Sequence, residues 1–283
     1  NNGTININPG NTLGQNIYFG YANANQGSVV NNGVFNVGAP TPGASANANG
    51  YINFYLYPVL NNYGTVNTYY GSGDSTKFYI YSSSNIYGAV QTPSAMDGGV
   101  VWQSTSTANL FGVTNGLGNV NGAVILGANS TLNATYGSTF DPLSTINTSA
   151  SGAYGLTINQ GAYSLDYGII GDVRPISYLT INGSGNSVFK KAMTASTSET
   201  INTPILLGGH SSLIVTGANG AITLNNTVDG INTYQLVLNA SGTSGTVAVN
   251  GLIGNAVANT NKVTTLTVSG ITTLNADIYT TSD

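Results

Sequence analysis

Charge is scarce in this chain. Only 5% of its 283 residues are charged, five of them Lys or Arg and nine Asp or Glu, against about a quarter in an ordinary globular sequence. Five basic groups cannot neutralise a row of phosphates, which argues against a nucleic-acid surface, and they cannot hold the chain on an anionic membrane. Cysteine is absent and there is a single histidine, His210. Disulfides therefore do not supply the stability, and the usual zinc ligand sets are excluded. No apolar run reaches the roughly 20 residues of a membrane span. The Ala, Leu, Glu and Lys runs that build exposed helix faces are also missing. The chain opens at Asn1 without an initiator Met or an export signal, which reads as a removed signal or a fragment.

Asn, Thr, Ser and Gly carry the polarity instead, with 38 glycines, beside 18 tyrosines and a hydrophobic share of 41%. That share suffices for a substantial core, and β-branched and aromatic types favour strands, so the fold class is all-β. Few charges, no cysteine and abundant Thr and Asn fit an exported microbial protein, placing it outside the cell or on its surface.

Repetition is the strongest signal. ITLNNTV at 222–228, VAVNGLI at 247–253 and TTLNADI at 272–278 align at one constant interval. Asn225, Asn250 and Asn275 form one column, and Asn202 joins it through the phrase at 201–205. Asp166, in LDYGI at 165–169, is assigned to the same column as a corner variant. Residues 186–198 break the rhythm and are expected to form an inserted bulge or an irregular turn. The first half repeats more loosely, as NNGTIN at 1–6, NNGVFN at 31–36 and NNYGTVN at 61–67, with Gly3, Gly33 and Gly64 in line. Periods of this size signal a repeat architecture.

A unit this short cannot bury its apolar face alone. Stacked coils let column-mates bury one another while parallel backbone bonds join them. The expected fold is a parallel β-helix, or β-solenoid, with coils of about 25–30 residues. Residues 1–155 would form wider, decorated coils with loops, and 156–283 regular repeats that continue past the C-terminus. In-register stacking also explains the missing charge, because a column of like charges at a pitch of about 4.8 Å would repel strongly. Stacked Asn amides can instead hydrogen-bond along the column.

The phrases of 156–283, above all V/L-N-G-x-I-G, LTVSG at 266–270 and TTLN at 272–275, resemble the β-helical repeats of filamentous-haemagglutinin-type exoproteins and autotransporter passengers. The resemblance implies a right-handed parallel β-helix at or beyond the cell surface, acting as adhesin, stalk or matrix component.

Candidate chemistry is thin. Asp74 and Asp97 lie in Gly-rich turns that could offer oxygen ligands to calcium, and no other cofactor is implied. Asp166 and Asp172 share one unit with Arg174, and an Asp172–Arg174 surface ion pair is the expected arrangement. His210, in GGHSS at 208–212, reads as an exposed turn residue, and Lys190–Lys191 as a solvated turn. Tyr51, Tyr55, Tyr57 and Trp102 are candidate contact aromatics for carbohydrate or protein, with burial inside a wide coil as the alternative. No catalytic residue is assigned. The expected function is a non-enzymatic structural or adhesive protein. Its partners would be further copies of itself, end-to-end or lateral, or a receptor or glycan on a host or neighbouring cell. The alternatives are a self-assembling surface-layer or filament subunit, and a polysaccharide-binding or polysaccharide-cleaving β-helix.

Overall fold

The structure is a computed structural model that describes residues 1–7, 15–20, 27–37, 52–68, 77–91, 99–115, 119–134, 139–140, 144–254 and 263–280. Within these the fold is all-β, without a helix, and the strand pairs are parallel. Two compact units are formed, one by Asn1–Ile125 with Leu132–Thr139, the other by Leu126–Thr131 with Phe140–Asp283.

In the first unit, the NNG phrases become the strands Thr4–Ile7, Val34–Val37, Thr65–Thr68 and Ala89–Gln91, joined in that order. Val34 pairs with Thr4, Thr65 with Val34 and Ala89 with Thr65, the last step being the shortest along the chain. A second sheet joins Gln15–Phe19, Ile52–Leu56, Lys77–Ile80, Gly99–Trp102 and Asn119–Val120. A third joins Ser28–Asn31, Val59–Asn62, Ser84–Ile86 and Thr107–Leu110. Alternation along a strand sends every second side chain inward. Phe54, Phe78 and Val100 thus form one buried column, and Leu56, Ile80, Trp102 and Val120 the next. Phe35 packs edge-on against Phe54 at 5.6 Å. A cavity of about 160 Å³ opens among Ile5, Phe19, Val30, Phe35, Phe54 and Leu60.

Glycine in the NNG phrase answers a close approach. The carbonyl oxygen of Gly33 accepts a hydrogen bond from Thr65 N–H, and that of Gly64 from Ala89 N–H. A Cβ on Gly64 would lie 2.0 Å from the Gly33 oxygen, and one on Gly88 2.1 Å from the Gly64 oxygen. No side chain fits where the preceding carbonyl must stand.

In the second unit, one sheet runs through Leu156–Gly161, Ile176–Gly183, the end of Ala192–Ile201, Ala221–Leu224, Thr246–Val249 and Ile271–Leu274. Another starts at the beginning of Ala192–Ile201 and continues through Ser211–Val215, Gln235–Asn239 and Thr265–Ser269. The third joins Leu165–Tyr167, Ser187–Phe189, Ile205–Leu207 and Val228–Gly230. Leu156, Leu179, Glu199, Ile222 and Val247 share one inward register position, and all are buried. Each buried Leu, Ile or Val contributes about 1.5–3 kcal/mol.

Two expectations are corrected. Residues 186–198 are not an irregular turn: Ser187–Phe189 is a strand, and Ala192 begins the long strand Ala192–Ile201, within which the expected bulge does occur, as a register shift between Ala195 and Ser198 opposite Ile176 and Tyr178. The unit is short here, because Glu199 follows its register mate Leu179 sooner than Val247 follows Ile222. A template taken from the later repeats therefore slips out of phase. Asp166 does not stand in the Asn column. Its register mates are Val188, Leu206 and Asp229, in a different sheet.

Candidate functional site: outward ladders and a buried carboxyl

Parallel in-register pairing repeats each outward side chain at strand spacing, about 4.8 Å. Amides and aromatic rings at that pitch reach one another. In the second unit each Asn Nδ2 donates to the Oδ1 of the Asn one repeat earlier. Asn275 donates to Asn250, Asn250 to Asn225, Asn225 to Asn202, Asn202 to Asn182 and Asn182 to Asn159, over 2.6–3.0 Å. The residues read as a column from sequence, Asn202, Asn225, Asn250 and Asn275, thus extend to Asn182 and Asn159. The first unit holds similar ladders, with Asn109 donating to Asn85 and Asn85 to Asn61, and with Asn67 donating to Asn36 and Asn36 to Asn6, Asn36 and Asn67 being buried.

Tyrosines stack in the same way on the first unit. Tyr55 lies between Tyr18 at 4.8 Å and Tyr79 at 5.0 Å, each with an interplanar angle of 11°. Tyr57 stacks on Tyr81 at 4.7 Å, and Tyr87 lies between Tyr63 and Phe111 at 4.5 and 4.4 Å. Burial, with Tyr57 close by, pushes the Tyr81 phenol up. Of the candidate contact aromatics, Tyr55 and Tyr57 therefore spend ring faces on other tyrosines. Trp102 is corrected: it is fully buried in the inward column over Ile80, where no external partner can reach it. Tyr51, Asp74 and Asp97 lie outside the described residues, and with them the proposed calcium ligands. Among the described residues no three His, Asp or Glu side chains group as metal ligands.

The charged side chains are dispersed. Lys190 Nζ pairs with Asp166 Oδ2 at 2.5 Å, so Lys190 is not merely solvated. Asp172 and Arg174 do not form the expected pair. Asp172 accepts from Asn147 Nδ2 at 2.9 Å, and Arg174 donates to the Ser149 carbonyl. His210 is exposed, accepting at Nδ1 from the Gln235 N–H and lying edge-on to Tyr234.

Among the buried polar groups of the second unit, Gln160 and Glu199 contrast. Gln160 is fully buried and satisfied: its Nε2 donates to the Gly185 carbonyl, and its Oε1 accepts from Tyr167 Oη at 2.7 Å and Ser187 Oγ at 3.0 Å. Burial pushes the Tyr167 phenol up. Glu199 differs. It is fully buried between Leu179 and Ile222, and neither carboxyl oxygen has a hydrogen-bond partner. Burial raises its carboxyl well above the usual range. The Ile214 N–H pulls the other way, without the geometry of a hydrogen bond. A carboxyl sealed from solvent cannot act on a substrate, so it belongs to the energetics of the fold. Sequence reading misses it, although LTIN at 179–182, ETIN at 199–202 and ITLN at 222–225 set Glu199 at an apolar position.

No family model, curated protein or solved structure matches this chain.

Proposed function

We propose that the chain is a β-solenoid, a right-handed parallel β-helix with coils of about 25–30 residues, and that it works without catalysis as a structural or adhesive element outside a microbial cell. The observation that carries this reading is the unbroken amide ladder from Asn159 to Asn275. Such ladders couple each repeat to the next and tie up polar groups in self-recognition, as a scaffold requires. The near absence of charge supports the same reading. So does the spacing of the described acids: even Asp166 and Asp229, which share one column, stand three strands apart, which leaves general acid–base work without a cluster. The resemblance of the repeat phrases to exported β-helical exoproteins adds the location.

The test is where the protein sits. Antibody raised against the purified chain is expected to label intact cells of the producing organism. Labelling only after permeabilisation would refute an extracellular role.

A further inference from the structure

The outward face of the longest sheet in the second unit has a composition that scaffolding does not require. Thr157, Thr180, Thr200, Thr223 and Thr273 share one outward register position, with Ala248 between the last two. Successive positions stand one strand apart, and none of these five hydroxyls is engaged by a hydrogen bond among the described residues. The Asn ladder runs beside them, two residues along each strand. In Asn182, Asn202, Asn225 and Asn250 it uses one of the two amide N–H groups. No charged side chain points outward in either column.

A second observation is independent of these columns. Tyr178 projects from the same face, beside Thr180, and its ring lies against Gly155, the residue just before the neighbouring strand Leu156–Gly161. A Cβ on Gly155 would meet three consecutive ring carbons at 2.1–2.4 Å. Glycine at 155 thus makes room for the ring to lie on the backbone. Unlike Tyr55, Tyr57 and Tyr87 of the first unit, Tyr178 has no aromatic ring stacked on it among the described residues, and it is only half-buried.

We infer that this face binds a neutral, extended polysaccharide, with Tyr178 as the stacking platform and the Thr and Asn columns as hydrogen-bonding rows. An aromatic ring beside unengaged hydroxyls and amides matches the apolar ring faces and equatorial hydroxyls of neutral sugars. The repeat at strand pitch suits a polymer whose units recur on a similar scale. An apolar protein partner fits less well, because the exposed large apolar residues of this unit lie elsewhere, save Ile271 and Leu274 on the last strand. The inference deepens the adhesive reading and rests on it.

The test is native affinity electrophoresis of the full chain in gels containing hydroxyethyl cellulose, a neutral β-linked glucan, or alginate, an anionic control. Hydroxyethyl cellulose is expected to retard the chain and alginate to leave it unaffected. Tyr178→Ala should weaken retardation about tenfold, and Thr200→Val, which keeps strand shape, about threefold. Tyr18→Ala, on the first unit, should leave it unchanged. The inference is overturned if the neutral glucan does not retard the chain, if alginate retards it as well, or if Tyr178→Ala and Thr200→Val behave as Tyr18→Ala does. Cells labelled at their surface while the purified chain ignores the glucan would remove this inference and leave the structural role standing.

Discussion

Replacing Glu199 by Leu is expected to stabilise the protein at neutral pH by about 2–4 kcal/mol, because an unpartnered buried polar group is exchanged for apolar burial. For a chain of this size that raises the unfolding midpoint by about 5–10 °C. The site is prepared for the change: its register neighbours are Leu179 and Ile222, and Leu213 and Val215 point inward from the strand Ser211–Val215. The gain should depend on pH with a definite sign. Burial raises the folded-state pKa of Glu199, so above about pH 4.3 the unfolded chain ionises while the folded chain keeps its proton. The unfolded state then binds fewer protons, and stability falls by about 1.4 kcal/mol per pH unit up to the folded pKa. The Glu199 contribution is therefore most favourable in acid, and the advantage of Glu199→Leu shrinks as pH drops toward 4. Asp229, raised by burial as well, contributes a smaller slope of the same sign that persists in the variant. Denaturant titrations of both proteins at pH 4 and pH 7 check this. A variant less stable than the native chain at pH 7, or a gain equal at both pH values, would count against the buried, neutral carboxyl.

The second large effect concerns the glycine column. Gly64→Ala should destabilise by about 3 kcal/mol or more, since its methyl would stand 2.0 Å from the Gly33 carbonyl oxygen and force adjacent strands apart. Gly3→Ala alters the same motif, but no atom lies within 4 Å of the added methyl, so a change within about 0.5 kcal/mol is expected. Equal effects of the two substitutions in thermal unfolding would mean that the motif reflects local backbone preference and not the approach of one strand to the next.

These two cases mark what the sequence discloses. The NNG phrases and the NNTV/NGLI/NADI series are legible because each repeat fills the same physical position, so column periodicity survives in the letters. All-β content and parallel pairing follow directly from it. Legibility ends where a unit changes length. Between Leu179 and Glu199 the repeat is shortened. The letters of 165–169 then align with the wrong column, which sets Asp166 among asparagines and lets the strand Ser187–Phe189 pass for a turn. Side-chain direction is the other blind spot. Trp102 alternates with Val101, and only the register with Ile80 and Val120 decides that Trp102 points inward. Stacking hides similarly: Tyr55 and Tyr79 are distant in sequence, and only the register brings their rings to 5.0 Å. Tyr178 is hidden for the same reason, since what distinguishes it is a glycine one repeat earlier, at the start of the neighbouring strand.

Because the chain contains no cysteine, register can be measured directly by paired cysteine substitution. Disulfides form when Cα atoms are roughly 4.4–6.8 Å apart, which admits adjacent parallel strands and excludes strands two rungs apart. Oxidation should rapidly close Thr200→Cys with Thr223→Cys in the second unit, and Asn85→Cys with Asn109→Cys in the first. The pairs one rung further apart, Thr180 with Thr223 and Asn61 with Asn109, should stay reduced. Closure of the distant pairs in preference to the adjacent ones would contradict the stacked, in-register architecture on which every other conclusion depends.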